Sequence, residues 1–104
     1  MNFTIDVERI ASVIRLCVIG DIDLSTVGQL DRAITEALRA GAASLIVDLT
    51  ATTFCDCTGI AALFAGRRTA AAHGIAYQVI NPTGLPAKIM LILDPQNLLT
   101  TRTP

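Results

Sequence analysis

Leu45-Ile46-Val47-Asp48-Leu49 is followed shortly by Thr53-Phe54-Cys55-Asp56-Cys57-Thr58-Gly59-Ile60, and this join of patterns decides the fold. The first segment is the most apolar strand pattern in the chain. The second opens its longest helical pattern, Thr58 to about His73. A loop that leaves a buried strand and enters a helix turns backbone N–H groups and the positive dipole end towards solvent. Such an end attracts anions and lowers the pKa of a thiol placed there. Its first turn offers a carboxylate, a thiol and a hydroxyl from Asp56, Cys57 and Thr58. Solubility alone does not call for that set.

Upstream, Phe3-Thr4-Ile5-Asp6-Val7-Glu8 alternates strictly and reads as a half-buried edge strand. Arg9 to Ser12 turn the chain, and Val13 to Ile19, apolar except for Arg15, reads as a more central strand. The short connection makes these two antiparallel neighbours. Gly20-Asp21-Ile22-Asp23 ends the second strand, and Ser25 or Thr26 caps a helix. Val27, Leu30, Ile34 and Leu38 form its apolar stripe, and Gly41 stops it.

Downstream of the join, Ile60, Leu63 and Phe64 mark the buried face of the second helix, and Gly74 ends it. Ala76 to Ile80 is a further strand, Asn81 to Gly84 a loop, and Pro86 suits the first turn of a third helix ending near Leu93. Asp94-Pro95 breaks that helix, and Leu98 to Thr101 has the pattern of a last short strand. The order predicts an α/β fold: a single layer of four to five strands, mostly parallel, with right-handed crossover helices. Ligands and partners of such sheets meet the carboxyl ends of the parallel strands. Topology brings Asp21, Asp23, Asp56, Cys57 and Thr58 to that one edge.

Composition narrows the function. The 104 residues suit one domain, 1–104, and apolar residues at 52% against 16% charged argue for a packed core. A net charge of −1, no Trp and the single Tyr77 speak against nucleic acid as a partner. Cys17, Cys55 and Cys57 are an odd set without framework spacing, which fits a reduced compartment. Asp6, Glu8 and Arg9 interrupt any leader-like run, and no stretch of membrane-spanning length escapes a charge. A cytoplasmic protein with no membrane contact is expected.

With the order and these residues in view, the chain resembles a STAS domain, most of all the bacterial anti-sigma factor antagonists. The resemblance rests on Gly20-Asp21-Ile22-Asp23 after strand two, Val47-Asp48-Leu49 with Phe54 and Asp56 after strand three, and Thr58-Gly59-Ile60 opening the helix. It covers nearly the whole chain. It implies a loop reading Asp-Ser-Ser/Thr-Gly whose first serine is phosphorylated by a partner that is both kinase and anti-sigma factor. The dephosphorylated form would bind that partner and free the sigma factor. Carried over, the aspartate is Asp56, the phosphoserine position is Cys57, and Thr58 and Gly59 follow. Asp21 and Asp23 match the acidic loop beside the phosphorylation site.

Two departures stand out. Cys57 has no hydroxyl, so the switch is lost, is taken by Thr58, or is replaced by thiol chemistry with Cys55 or Cys17. The family's final helix is short or missing, which would leave an apolar patch for a partner or for a second copy in a homodimer. A STAS scaffold subunit without a switch is the third reading.

Plainer roles compete at each position. Thr58 is equally a helix cap or near-cap, and so is Asp56, favourably placed at the dipole. Cys17 reads as core, Cys55 as buried, and Asp48 as satisfying nearby backbone groups. Arg67-Arg68 reads as a solvated face and His73 as a helix C-terminus. Enzyme readings do poorly. A Cys57–His73 couple is separated by about fifteen helical residues, roughly 22 Å. Cys55, Asp56 and Cys57 offer too few ligands for a structural zinc site, and no phosphate or dinucleotide loop is present. No metal, no cofactor and no catalysis are expected.

Overall fold

The computed structural model describes residues 3–101. The hairpin β1 (Thr4–Ile10) and β2 (Val13–Ile22) leads to α1 (Val27–Arg39), β3 (Ser44–Asp48), β4 (Thr52–Cys55), α2 (Cys57–Ala72), β5 (Ala76–Ile80) and α3 (Gly84–Leu93). Among the described residues the mixed sheet runs β1-β2-β3-β5, with β4 paired to β2 alone. Among the described residues the β1–β2 pair is antiparallel, and the β2–β3, β2–β4 and β3–β5 pairs are parallel.

The first hairpin is tighter than the sequence suggests. β1 continues to Ile10, which pairs with Val13, so the turn is Ala11-Ser12 alone. Ala11 holds a φ of 55°, a left-handed conformation that an alanine adopts at a cost. β2 then alternates without a break. Ile14, Leu16, Val18 and Ile22 are buried, while Arg15, Cys17, Ile19 and Asp21 are half-buried on the opposite face. The buried row meets α1 and α2 in one core with Leu30, Ile34, Leu45, Val47, Leu63 and Tyr77.

Small residues let α2 lie close on the sheet. A Cβ on Gly66 would stand 2.9 Å from Tyr77 Oη and 3.1 Å from Ile34 Cγ2. Burial pushes the Tyr77 phenol up, and its hydroxyl donates to Leu63 O at 2.8 Å.

The segment expected as a loop from Thr50 to Thr58 contains a strand. β2 shifts register between Gly20 and Asp21 and so reaches beyond the end of β3. Gly20 then pairs with Thr52, Asp21 with Phe54 and Ile22 with Cys55. Gly20-Asp21-Ile22 is therefore the last stretch of β2, not its end.

The expected strand at Leu98–Thr101 is a turn. Asp94, 3% exposed, gathers it: Leu98 N–H donates to Oδ1 at 2.8 Å and Leu99 N–H to Oδ2 at 2.9 Å. The turn still docks on β5, since Val79 N–H donates to Leu99 O at 2.8 Å and Gln78 Nε2 to Thr100 O at 2.8 Å. Among the described residues no helix follows α3, and Leu91 and Ile92 on α3 are 71% and 72% exposed. No described helix is long and apolar enough to cross a membrane.

Candidate functional site

The carboxyl end of β2 delivers two aspartates, and each is held by local chemistry. Asp21 Oδ1 accepts from Thr53 Oγ1 of β4 at 2.5 Å, tying the two strands together by their side chains. Asp23 Oδ1 accepts from Ser25 N–H at 2.9 Å and Ser25 Oγ at 2.6 Å. These bonds, that of the Ser25 hydroxyl foremost, hold the Asp23 carboxyl below its ordinary range. Thr26 is the N-cap residue of α1, but its hydroxyl turns back from the helix. It accepts from Asp23 N–H at 2.9 Å and donates to Asp21 O at 2.8 Å.

β4 delivers the second half of the edge. Asp56 N–H donates to Ile22 O at 3.2 Å, so the start of α2 is fastened to the end of β2. Asp56 is the N-cap of α2. One oxygen, Oδ1, accepts from Thr58 N–H at 3.0 Å, Gly59 N–H at 3.1 Å and Thr58 Oγ1 at 2.6 Å. Two of the helix's four orphan donors are satisfied this way. The cap is thus Asp56 rather than Thr58, and the helix begins one residue early, at Cys57.

The remaining residues of the turn divide by direction. Cys57 and Thr58 are exposed on the first turn, whereas Gly59 is buried. A Cβ on Gly59 would stand 2.6 Å from both Cys55 Sγ and Ile22 Cγ2, so the helix can seat here only because position 59 has no side chain. Leu24, 78% exposed, and Phe54, 36% exposed, add apolar surface from the two strand ends.

The three thiols sit in unlike places. Cys55 is wholly buried beneath Gly59, and burial, with the Asp56 charge adding to it, pushes its pKa up to about 12. Cys17 is half-buried on the sheet face opposite the core, with its pKa also raised by burial. Cys57 is exposed near Cys55, and Cys17 lies on the other face of the sheet from Cys55, so the three thiols named as redox candidates do not share one face. Among the described residues no group of three or more His, Cys, Asp or Glu side chains is placed to hold a metal ion.

An ion pair below this edge escaped the sequence reading. Arg15 Nη2 donates to Asp48 Oδ2, and Asp48 Oδ1 accepts from Thr50 N–H at 2.9 Å and Thr50 Oγ1 at 2.6 Å. Burial works against the Asp48 carboxylate, but these bonds and the Arg15 charge outweigh it and hold its pKa down. The lone charge in each of two apolar strands was the available signal.

Comparison with known proteins agrees with this fold. A family profile described as "Mlab, STAS domain" matches residues 4–100. An anti-sigma factor antagonist from Mycobacterium paratuberculosis superposes with a TM-score of 0.82 at 24% identity, over 95% of this chain and 86% of that one. The Bacillus cell fate determinant SpoIIAA in its phosphorylated form gives 0.68 at 15% identity, over 94% and 89%. An antisigma-factor antagonist from Rhodobacter sphaeroides gives 0.65 at 15% identity, over 75% and 85%. These three likenesses show the fold, and the profile shows the family: the chain belongs to the STAS domain family.

Proposed function

We propose that the protein is a non-catalytic interaction switch of the anti-sigma factor antagonist kind. Its partner, an anti-sigma factor that is also a serine/threonine kinase, docks on Asp56, Cys57, Thr58 and Gly59 with Asp21 and Asp23 alongside. The observation that carries this reading is the first turn of α2. Its cap is satisfied internally, yet Cys57 and Thr58 stand exposed on the turn that Asp56 N–H fastens to Ile22 O, between Asp21 and Asp23 at the end of β2. The setting is the bacterial cytoplasm and the output is sigma-dependent transcription. Cys57 occupies the place of the phosphorylated serine, so ATP-dependent labelling at that position is absent.

Thr58 is a poor substitute, because its hydroxyl already donates to Asp56 and a phosphate there would face that carboxylate. Among thiol readings, the burial of Cys55 favours Cys57 acting without it. The test combines calorimetric titration against the anti-sigma factor of the same host with phosphate transfer from ATP. Binding by the natural chain, weakened by Thr58→Glu, and labelling gained only on Cys57→Ser are the expected results. Labelling of the natural chain on Thr58 would show that the switch has moved one residue along. Unchanged affinity of a folded Thr58→Glu protein would place the interface elsewhere.

A further inference from the structure

The outer edge of β1 is open. Among the described residues β1 pairs only with β2, so half of its backbone N–H and C=O groups have no strand beside them. Two adjoining cavities of about 460 and 160 Å³ lie between this strand and α1, sharing Val7, Ala33 and Glu36. Ile5, Gln29 and Arg32 also line the first, and Ile14, Leu16 and Ala37 line the second. Val7 stands over both and is 63% exposed. Arg9 closes one end, since its Nη1 donates to Ala40 O at the close of α1 at 2.8 Å. The strand thus shows an apolar row, Ile5 and Val7, towards the groove, and on the other face of the sheet the carboxylates Asp6 and Glu8, of which Glu8 also meets Arg15 Nη1 at 3.4 Å across an exposed ion pair.

We propose that this edge receives an extended peptide segment of a partner protein, added to the sheet as a sixth strand with alternating apolar and basic side chains. The apolar side chains enter the two cavities and the basic ones face Asp6 and Glu8. Pairing of this kind draws affinity from the main chain and selectivity from alternate side chains. Charge disfavours a second copy in the registers that pair the middle of β1. An antiparallel β1–β1 pair centred on Val7 sets Asp6 opposite Glu8, and one centred on Asp6 sets Asp6 opposite itself. Like charges directly opposite are destabilising.

The test titrates the full chain with fluorescein-labelled Lys-Val-Lys-Val-Lys-Val-Lys and with Lys-Lys-Val-Val-Val-Lys-Lys, which keeps the charge and breaks the alternation. The alternating peptide should bind at least about tenfold tighter. Its amide shift changes should fall on Thr4–Ile10 and on α1 residues 29–37. Val7→Lys, at an exposed position, should weaken binding by about tenfold or more. Asp6→Lys with Glu8→Lys should reverse the preference towards Glu-Val-Glu-Val-Glu-Val-Glu. Asp21→Asn with Asp23→Asn, at the other acidic edge, should leave the affinity for the alternating lysine peptide unchanged. Equal binding of the two lysine peptides, shift changes confined to the α2 edge, or dimerisation through β1 in sedimentation would each overturn the proposal.

Discussion

Gly59→Ala sets two effects of comparable size against each other. Within a helix, alanine is favoured over glycine by about 0.8–1.0 kcal/mol, and less near an end. The new methyl group would however lie 2.6 Å from Cys55 Sγ and 2.6 Å from Ile22 Cγ2, in a region with no free volume. Overpacking of this kind typically costs about 1–3 kcal/mol. Neither neighbour is the free end of a long side chain, so the helix start must rise and the Asp56 cap must loosen. The net expectation is a loss of about 1–2 kcal/mol, or roughly 4–15 °C in Tm for a domain of this size. Gly28→Ala is the internal control, because nothing lies within 4 Å of its would-be Cβ. It should be neutral or stabilise by up to about 1 kcal/mol. Urea titrations of both variants with a common m-value would measure the difference. If Gly59→Ala stabilises as much as Gly28→Ala does, the close seating of α2 on Cys55 and Ile22 is not what holds its first turn in place.

Asp56→Ala should cost about 1–2 kcal/mol by removing the α2 cap, and Asp56→Asn, which keeps the acceptor, about 0.3–1 kcal/mol; equal losses in urea titrations would deny the capping role. Asp48 and Asp23 have carboxyl groups held below their unfolded values, so their stabilisation is fully present above a pH of about 4 and is lost as pH falls through the folded values. Asp48→Asn should therefore flatten the acid limb of the stability profile, which a denaturation series at successive pH values would reveal. Ala11→Gly should stabilise the hairpin by up to about 1 kcal/mol, because φ at 55° favours glycine, and thermal melts would register it.

Most of the architecture was legible because its signals are periodic. Strict alternation in β1 and β2 and the three- and four-residue steps of α1 set faces as well as elements. β4 was hidden because four residues between a tight turn and a helix leave no room for a period. Its composition, Thr52-Thr53-Phe54-Cys55, is nonetheless strand-forming. Leu98–Thr101 misled in the opposite way. Its Leu-Leu-Thr-Thr composition suits a strand, but the side chain of Asp94 accepts two of its N–H groups and bends it into a turn. At the candidate site the residue types were legible and their bonds were not. Asp56 and Thr58 competed for the cap on sequence alone, and only the backbone placement of residue 56 before the first helical turn decided between them. Arg15 and Asp48 were each visible as a charge in an apolar strand. Their pairing required the parallel register that sets Arg15 beside Ile46 and Cys17 beside Asp48.

The fastening of β4 gives the molecule a reporter of its own. This short strand pairs with β2 alone, and Cys55 at its end lies sealed under Gly59. A reagent can therefore reach that sulfur only when the start of α2 lifts away from Ile22. Exposed Cys57 reacts without any such opening. In a background with Cys17→Ser and Cys57→Ser, the slow modification of Cys55 becomes a clock for breathing at the edge. A ligand seated on the first turn of α2 would slow that clock in proportion to its occupancy, whatever its chemical nature.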